Sequence, residues 1–187
     1  MTDGSTRELT SLEYVVLGLV SLEPQSGYSI INTFESGQYH WSASPGSIYP
    51  MLKRLESQAI LSSEMEAVHE LRPRKMYYIT EQGEAILDEW LRRPLNKREV
   101  AQERDILLMK FLFSEKRLSR REVLDWLENY REETEAYLTL LEIQRDPSRD
   151  DWPLHQGLVI EADFMELKMQ LAWIGKALQR LRETPET

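Results

Sequence analysis

Ser44-Pro45-Gly46-Ser47-Ile48-Tyr49-Pro50-Met51-Leu52-Lys53-Arg54-Leu55-Glu56 is the stretch from which the rest of the chain can be read. Ile48, Leu52, Leu55 and Ala59 step by four, three and four residues, which is one apolar stripe of a helix. Gly46, Pro50, Lys53, Arg54 and Ser57 gather on the opposite side, with Ser47 and Tyr49 on the shoulders. The outward face is therefore slim, polar and weakly basic. Two starts are open. Ser44 as N-cap puts Pro45 at the first helical position but leaves Pro50 in the interior, at a cost of about 3 kcal/mol. Ser47 as N-cap puts Pro50 in the first turn, where a missing N–H is harmless.

Upstream, Thr10-Ser11-Leu12-Glu13 has the spacing of a capping box. It opens a helix to about Leu22 that is apolar on most sides, hence a buried one. Glu23 to Gly27 reads as a turn, Tyr28 to Ser36 as a second helix and Gly37 to Ala43 as a loop. Downstream, Ile60 to Glu66 and Met76 to Thr80 read as a two-stranded hairpin whose connection, Ala67 to Lys75, carries Arg72, Arg74 and Lys75. Thr80 then caps a fourth helix, Glu81 to Leu91, with Ala85, Ile86 and Trp90 turned inward. Three helices, a β-hairpin wing and a further helix are the pattern of a winged helix-turn-helix.

In that pattern the slim helix enters a major groove about 12 Å wide. Ser44, Ser47, Tyr49, Pro50, Lys53 and Arg54 become candidate DNA contacts, with Tyr49 alternatively a packing residue. Arg72, Arg74 and Lys75 become phosphate or minor-groove contacts, opposed by the nearby Glu66, His69 and Glu70. Tyr28 opens the helix that crosses the DNA backbone, so it is either a phosphate contact or a core residue.

Arg92 to Arg98 marks the expected boundary between a winged domain, 1–92, and a helical domain, 93–187. Beyond it Val100 to Phe113 reads as one helix, and Ser119-Arg120-Arg121-Glu122 as a capping box opening a long one. Asp146 to Pro153 is a loop. In the last helix Ile160, Phe164, Leu167, Leu171, Ile174, Leu178 and Leu181 alternate steps of four and three, the seam of a coiled coil. Such a seam needs a partner helix, from the same chain or a second copy, and we expect it to form a homodimer contact. The fold class expected is thus mostly α with a small β-hairpin wing, followed by an all-helical, coiled-coil-like dimerisation domain. Trp90, Trp126 and Trp173 could wall an effector pocket, or could equally be core.

Composition narrows the classes. The chain has 187 residues, 41% of them apolar, and no cysteine, so disulfides, thiol catalysis and thiolate metal sites are excluded. His40, His69 and His155 are scattered, so no metal or other cofactor is expected. No Ser-His-Asp arrangement, phosphate loop or carboxylate pair stands out, so no enzyme activity is expected either. The apolar run Val15 to Val20 is too short to span a bilayer and no basic-then-apolar leader is present, which leaves the cytoplasm as the expected location. Net charge is −9, and it is negative in both halves. Residues 1–95 hold 8 Lys+Arg against 13 Asp+Glu (−5), and residues 96–187 hold 15 against 19 (−4). A DNA-binding surface must therefore come from clustering. The same acidity suits a different class, a winged-helix protein-interaction adaptor that reads no DNA.

The order of motifs resembles the PadR family of bacterial transcriptional regulators. The resemblance rests on Leu12 to Gly27-Tyr28-Ser29-Ile30, on the segment 44–56, and on Arg72-Pro73-Arg74-Lys75-Met76-Tyr77-Tyr78-Ile79-Thr80-Glu81-Gln82-Gly83. Ala59 stands where the family has a glycine. From Ala101-Gln102-Glu103-Arg104-Asp105 through Lys110-Phe111-Leu112-Phe113 the chain is similar to the longer branch, with its virulence-activator-like helical domain. The resemblance implies a homodimer on a palindromic double-stranded DNA operator, mostly as a repressor, with dimer contacts from the C-terminal helices. It also implies release by a small aromatic or hydrophobic effector.

Overall fold

The computed structural model of the chain describes residues 8–36, 44–67, 73–144 and 152–185. Its elements are α1 (Ser11–Leu22), β1 (Gln25–Ser26), α2 (Gly27–Glu35), α3 (Pro45–Ser57), β2 (Leu61–Ala67), β3 (Pro73–Ile79), α4 (Glu81–Arg92), α5 (Lys97–Gln102), α6 (Arg104–Ser114), α7 (Arg120–Gln144) and α8 (Leu154–Glu183). They fall into two compact units, Met1–Leu91 with Leu108–Arg117 and Arg92–Leu107 with Leu118–Thr187. This differs from a simple division after residue 92, because residues 108–117 group with the N-terminal part.

The first unit is built around α1. Val15, Val16, Leu17, Leu19 and Val20 are buried on a helix whose apolar residues surround its axis. Ile30, Ile31 and Phe34 of α2 and Ile48, Leu52 and Leu55 of α3 complete the core. Phe113 of α6 lies on Gly18, whose place admits no larger side chain, since an added Cβ would stand 2.2 Å from the ring. The sheet has the order β1-β3-β2, all antiparallel. Two features depart from the sequence expectation. Gln25 and Ser26, read as a turn, pair with Tyr77 and Met76 as a third strand. And β3 starts at Pro73, so Arg74 and Lys75 sit on the strand, opposite Glu66 and Met65, instead of in a loop.

The helix expected over Val100 to Phe113 is broken in two. Asn96 caps α5 by accepting from the Arg98 and Glu99 N–H groups, and Glu99 accepts in return from the Asn96 N–H at 3.0 Å. α6 then restarts at Arg104. Ser119 and Glu122 form the capping box of α7. α7 and α8 pack on each other through Val123, Trp126, Leu127 and Tyr130 on one side and Phe164, Leu167, Ile174 and Leu178 on the other. The buried Tyr130 hydroxyl donates to Gln170 Oε1 at 2.9 Å across that contact.

The α7–α8 contact gives the regular seam a partner within the chain. That partner helix, α7, covers Phe164, Leu167, Ile174 and Leu178 and leaves Ile160, Leu171 and Leu181 half-buried along the same stripe. Among the described residues no helix is long and apolar enough to cross a membrane.

Candidate nucleic-acid interface

Ser44 is the N-cap of α3 and Pro45 opens the helix, so Pro50 does fall in the interior. Its ring removes the N–H that would otherwise donate to the Gly46 carbonyl. Both residues are exposed on the outer face, where water can serve that carbonyl. The Ser44 hydroxyl makes no backbone cap and instead shares a 2.8 Å hydrogen bond with the Ser47 hydroxyl. Gly46, Ser47, Tyr49, Pro50 and Lys53 are all exposed.

Beside this face lies a groove of about 560 Å³, lined by Ser26, Gly27, Tyr28, Tyr49, Pro73, Arg74, Lys75 and Tyr77. Three elements converge on it: the N-terminus of α2, the shoulder of α3 and the start of β3. Ser26 caps α2 reciprocally with Ser29, so the helix start is held rigidly. The dipole of α2 favours an anion there. Tyr28 and Tyr49 are 61% and 49% exposed, too wet for core residues of this unit. Tyr49 lies along Gly27, and a Cβ on Gly27 would stand 2.6 Å from its ring. Tyr49 is thus placed by packing on a glycine, with much of its surface left open.

The cations divide into two groups. Lys53 and Arg74 are exposed and make no ion pair with any described residue. Arg54 is different. Its guanidinium donates through Nε (2.9 Å) and Nη2 to Glu13 Oε1 on α1, and Glu13 is fully buried. The other carboxylate oxygen accepts from the Thr10 N–H at 2.7 Å and the Thr10 hydroxyl at 2.8 Å. Burial pushes the Glu13 carboxyl up, but the Thr10 N–H, the Arg54 guanidinium and the Thr10 hydroxyl together outweigh it, so it titrates below the usual range. Lys75 donates to Glu56 Oε2 at 2.7 Å and stands over the Tyr77 ring at 5.2 Å. The bond to Glu56 raises Lys75, and the bonds from Lys75 and Ser63 lower Glu56. The chain's pattern gave no sign of these pairs: Arg54 lies 41 residues from Glu13, and Lys75 lies 19 from Glu56. Arg72 lies outside the described residues.

The three tryptophans are divided between the two units. Trp90, in the first unit, is buried and stacks on Tyr14 at 4.8 Å and 7°, with the Lys110 ammonium 5.4 Å from its ring centroid. Trp126 and Trp173, in the second, flank Tyr130 with ring centroids 5.5 and 6.4 Å away. Trp126 and Tyr130 are buried, so packing accounts for their rings.

A helical trio, an antiparallel wing against it and an exposed face on the third helix define a winged helix-turn-helix protein. Residues 16–89 match the model of the transcriptional regulator PadR-like family. The chain is 32% identical over 133 residues to the negative transcriptional regulator PadR of Bacillus subtilis (strain 168), a match that covers 70% of this chain and 71% of that protein. The chain belongs to the PadR family of transcriptional regulators. Similar solved structures include Bacillus subtilis PadR in complex with operator DNA, at 26% identity and TM-score 0.46, covering 92% of this chain and 99% of that one. Another is a PadR-like transcriptional regulator from Bacillus cereus, at 26% identity and TM-score 0.42, covering 95% and 99%.

Proposed function

We propose that this regulator binds double-stranded operator DNA as a homodimer and acts as a repressor. The observation that carries the DNA reading is the convergence of the exposed α3 face with the groove at the α2 N-terminus. α3 offers Ser47, Tyr49 and Lys53 to the bases, and Tyr28 and Arg74 flank a site for a backbone phosphate. The name of the Bacillus subtilis relative, a negative transcriptional regulator, supports repression.

The dimer surface falls on a second stripe of α8. Leu154, Leu158, Met165 and Met169 are 74%, 53%, 66% and 47% exposed, a row of large apolar side chains that the chain itself leaves uncovered. A second copy fits it, because the charge of α8 is divided along its length. Glu161, Asp163 and Glu166 give residues 154–167 a charge of −3, while Lys168, Lys176, Arg180 and Arg182 against Glu183 give residues 168–183 a charge of +3. An antiparallel copy sets the acidic half on the basic half and brings Met165 to Met169.

Titration of a duplex from the chain's own promoter region across salt concentrations tests the function. Tight binding that weakens steeply with salt is expected. Absent or salt-insensitive binding would overturn it in favour of the adaptor reading. Oxidative crosslinking of the Met165→Cys, Met169→Cys double variant tests the dimer, and a chain that stays monomeric at micromolar concentration refutes it.

A further inference from the structure

We propose that Glu13 and Glu56 are positioning residues of the DNA-reading unit, and that their cation partners Arg54 and Lys75 act as internal struts instead of phosphate contacts. The inference rests on the DNA-binding reading above and assigns the division of labour within that site. Spacing alone would give all the cations of the α3 face and wing the same task. The geometry separates them.

Arg54 and Lys53 are neighbours in sequence on the outer side of α3, and both are exposed, but only Arg54 is tied to a carboxylate of the core. The Arg54 guanidinium turns back to α1, where two of its nitrogens engage one oxygen of a carboxylate with no exposed surface. The second oxygen is already committed to the Thr10 capping box. Withdrawing Arg54 toward a phosphate would therefore take a guanidinium away from a buried carboxylate, which is costly. The same residue, Glu13, fixes both the start of α1 and the azimuth of α3 about its axis. That azimuth decides whether Ser47, Tyr49 and Lys53 face a groove.

Glu56, two residues beyond Arg54 in the same last turn of α3, repeats the device toward the wing. It lies one turn beyond Leu52 and accepts from the Ser63 hydroxyl on β2 and the Lys75 ammonium on β3. One carboxylate thereby ties the recognition helix to both strands of the wing. The wing's angle to the helix sets where Arg74, the neighbour of Lys75 on β3, can meet the backbone. Two carboxylates in a DNA-binding unit look counterproductive by charge alone. Their positions, one buried and one at a three-element junction, give them a use.

The number of phosphates neutralised separates a strut from a direct phosphate ligand. The slope of log affinity against log salt changes by about 0.9 for each duplex phosphate that a cation neutralises. We expect Lys53→Ala and Arg74→Ala to lower the slope by about that amount per protomer. Arg54→Gln and Lys75→Gln should weaken binding roughly tenfold at an unaltered slope, as should Glu13→Gln and Glu56→Gln. The double variants Glu13→Gln with Arg54→Gln, and Glu56→Gln with Lys75→Gln, should recover part of the affinity, because a neutral pair can still hydrogen-bond. A slope lowered by Arg54→Gln or Lys75→Gln, or binding strengthened by Glu13→Gln or Glu56→Gln, would overturn the proposal. The partly exposed Glu56–Lys75 pair keeps the test valid if Glu13 variants fold poorly. If the native protein binds no duplex, the DNA reading itself fails. Amide exchange at Leu52 and Leu55 then still decides the strut: faster exchange in Glu13→Gln supports it, and unchanged exchange refutes it.

Discussion

Ala59 shows how much one residue can record. It has φ +56°, the only positive φ outside glycine among the described residues. Its N–H donates to the Glu56 carbonyl and the Ile60 N–H to the Leu55 carbonyl, both at 3.0 Å, which is the Schellman closure of α3. The left-handed residue of that closure is usually glycine, and an L side chain there costs about 1 kcal/mol. Ala59→Gly should therefore raise stability by about 1 kcal/mol, read as a higher urea midpoint; an unchanged or lower midpoint would refute the strain. The closure also explains why the helix can turn at once into β2. Gly83 gives the opposite case. An added Cβ would lie 2.3 Å from the Ile60 carbonyl oxygen, a backbone atom with nowhere to go. Alanine ordinarily favours a helix by up to about 1 kcal/mol over glycine, yet Gly83→Ala should destabilise by roughly 1–3 kcal/mol, because Ile60 is fixed by the hydrogen bonds its carbonyl accepts from Thr80. A neutral or stabilising effect in thermal melts would show that the neighbouring backbone relaxes.

At the scale of elements, α1 and α8 carry the lessons. Thr10 and Glu13 announce the start of α1 in sequence, and the capping box is there. The second use of Glu13, holding Arg54, was not legible, because a partner 41 residues away leaves no periodicity. Its consequence is a pH dependence. The folded-state carboxyl titrates below its unfolded value, so its contribution is complete above the ordinary carboxylate range and lost as pH falls through the depressed value. Acid titration of stability should show that loss, and Glu13→Gln should flatten it; an identical acid limb in the variant would refute the assignment. In α8 the heptad steps were legible and their partner was not. A repeat of apolar positions demands a facing helix, and α7 supplies it through Trp126, Leu127 and Tyr130. The weaker stripe, Leu154 to Met169, carried no regular signal, yet it is the one left in solvent. The two stripes predict opposite phenotypes. Ile174→Ala empties a fully buried site and should cost about 2–5 kcal/mol of stability. Leu158→Glu on the open stripe removes no contact buried within the chain and should leave the melting nearly unchanged at concentrations where the native chain is monomeric. Equal destabilisation by both would remove the distinction.

For the whole molecule the difficulty is charge. A net −9 opposes association with a polyanion, and the structure sharpens this by pairing two of the site's cations internally. Among the described residues, each DNA-reading unit is left with Lys53, Arg74, the α2 N-terminus and hydroxyl donors, too few for tight binding to one half-site. Two such units joined through their second units behave differently. Once one is bound, the other searches its half-site at an effective concentration in the millimolar range, and affinity rises by about 10²–10⁴ with no new contact. On the proposed dimer, affinity would come from the connection, and discrimination from the slim faces of the two α3 helices. Weak half-sites serve a regulator well, since each alone dissociates readily from unrelated DNA. The combined variant Leu158→Glu, Met165→Glu should be a folded monomer whose affinity for the promoter duplex drops at least about a hundredfold, with its residual salt slope about halved. Analytical ultracentrifugation confirms the monomer and fluorescence anisotropy reads the affinity. A monomer that kept native affinity would show that one unit suffices, and the acidic surface would then need another explanation.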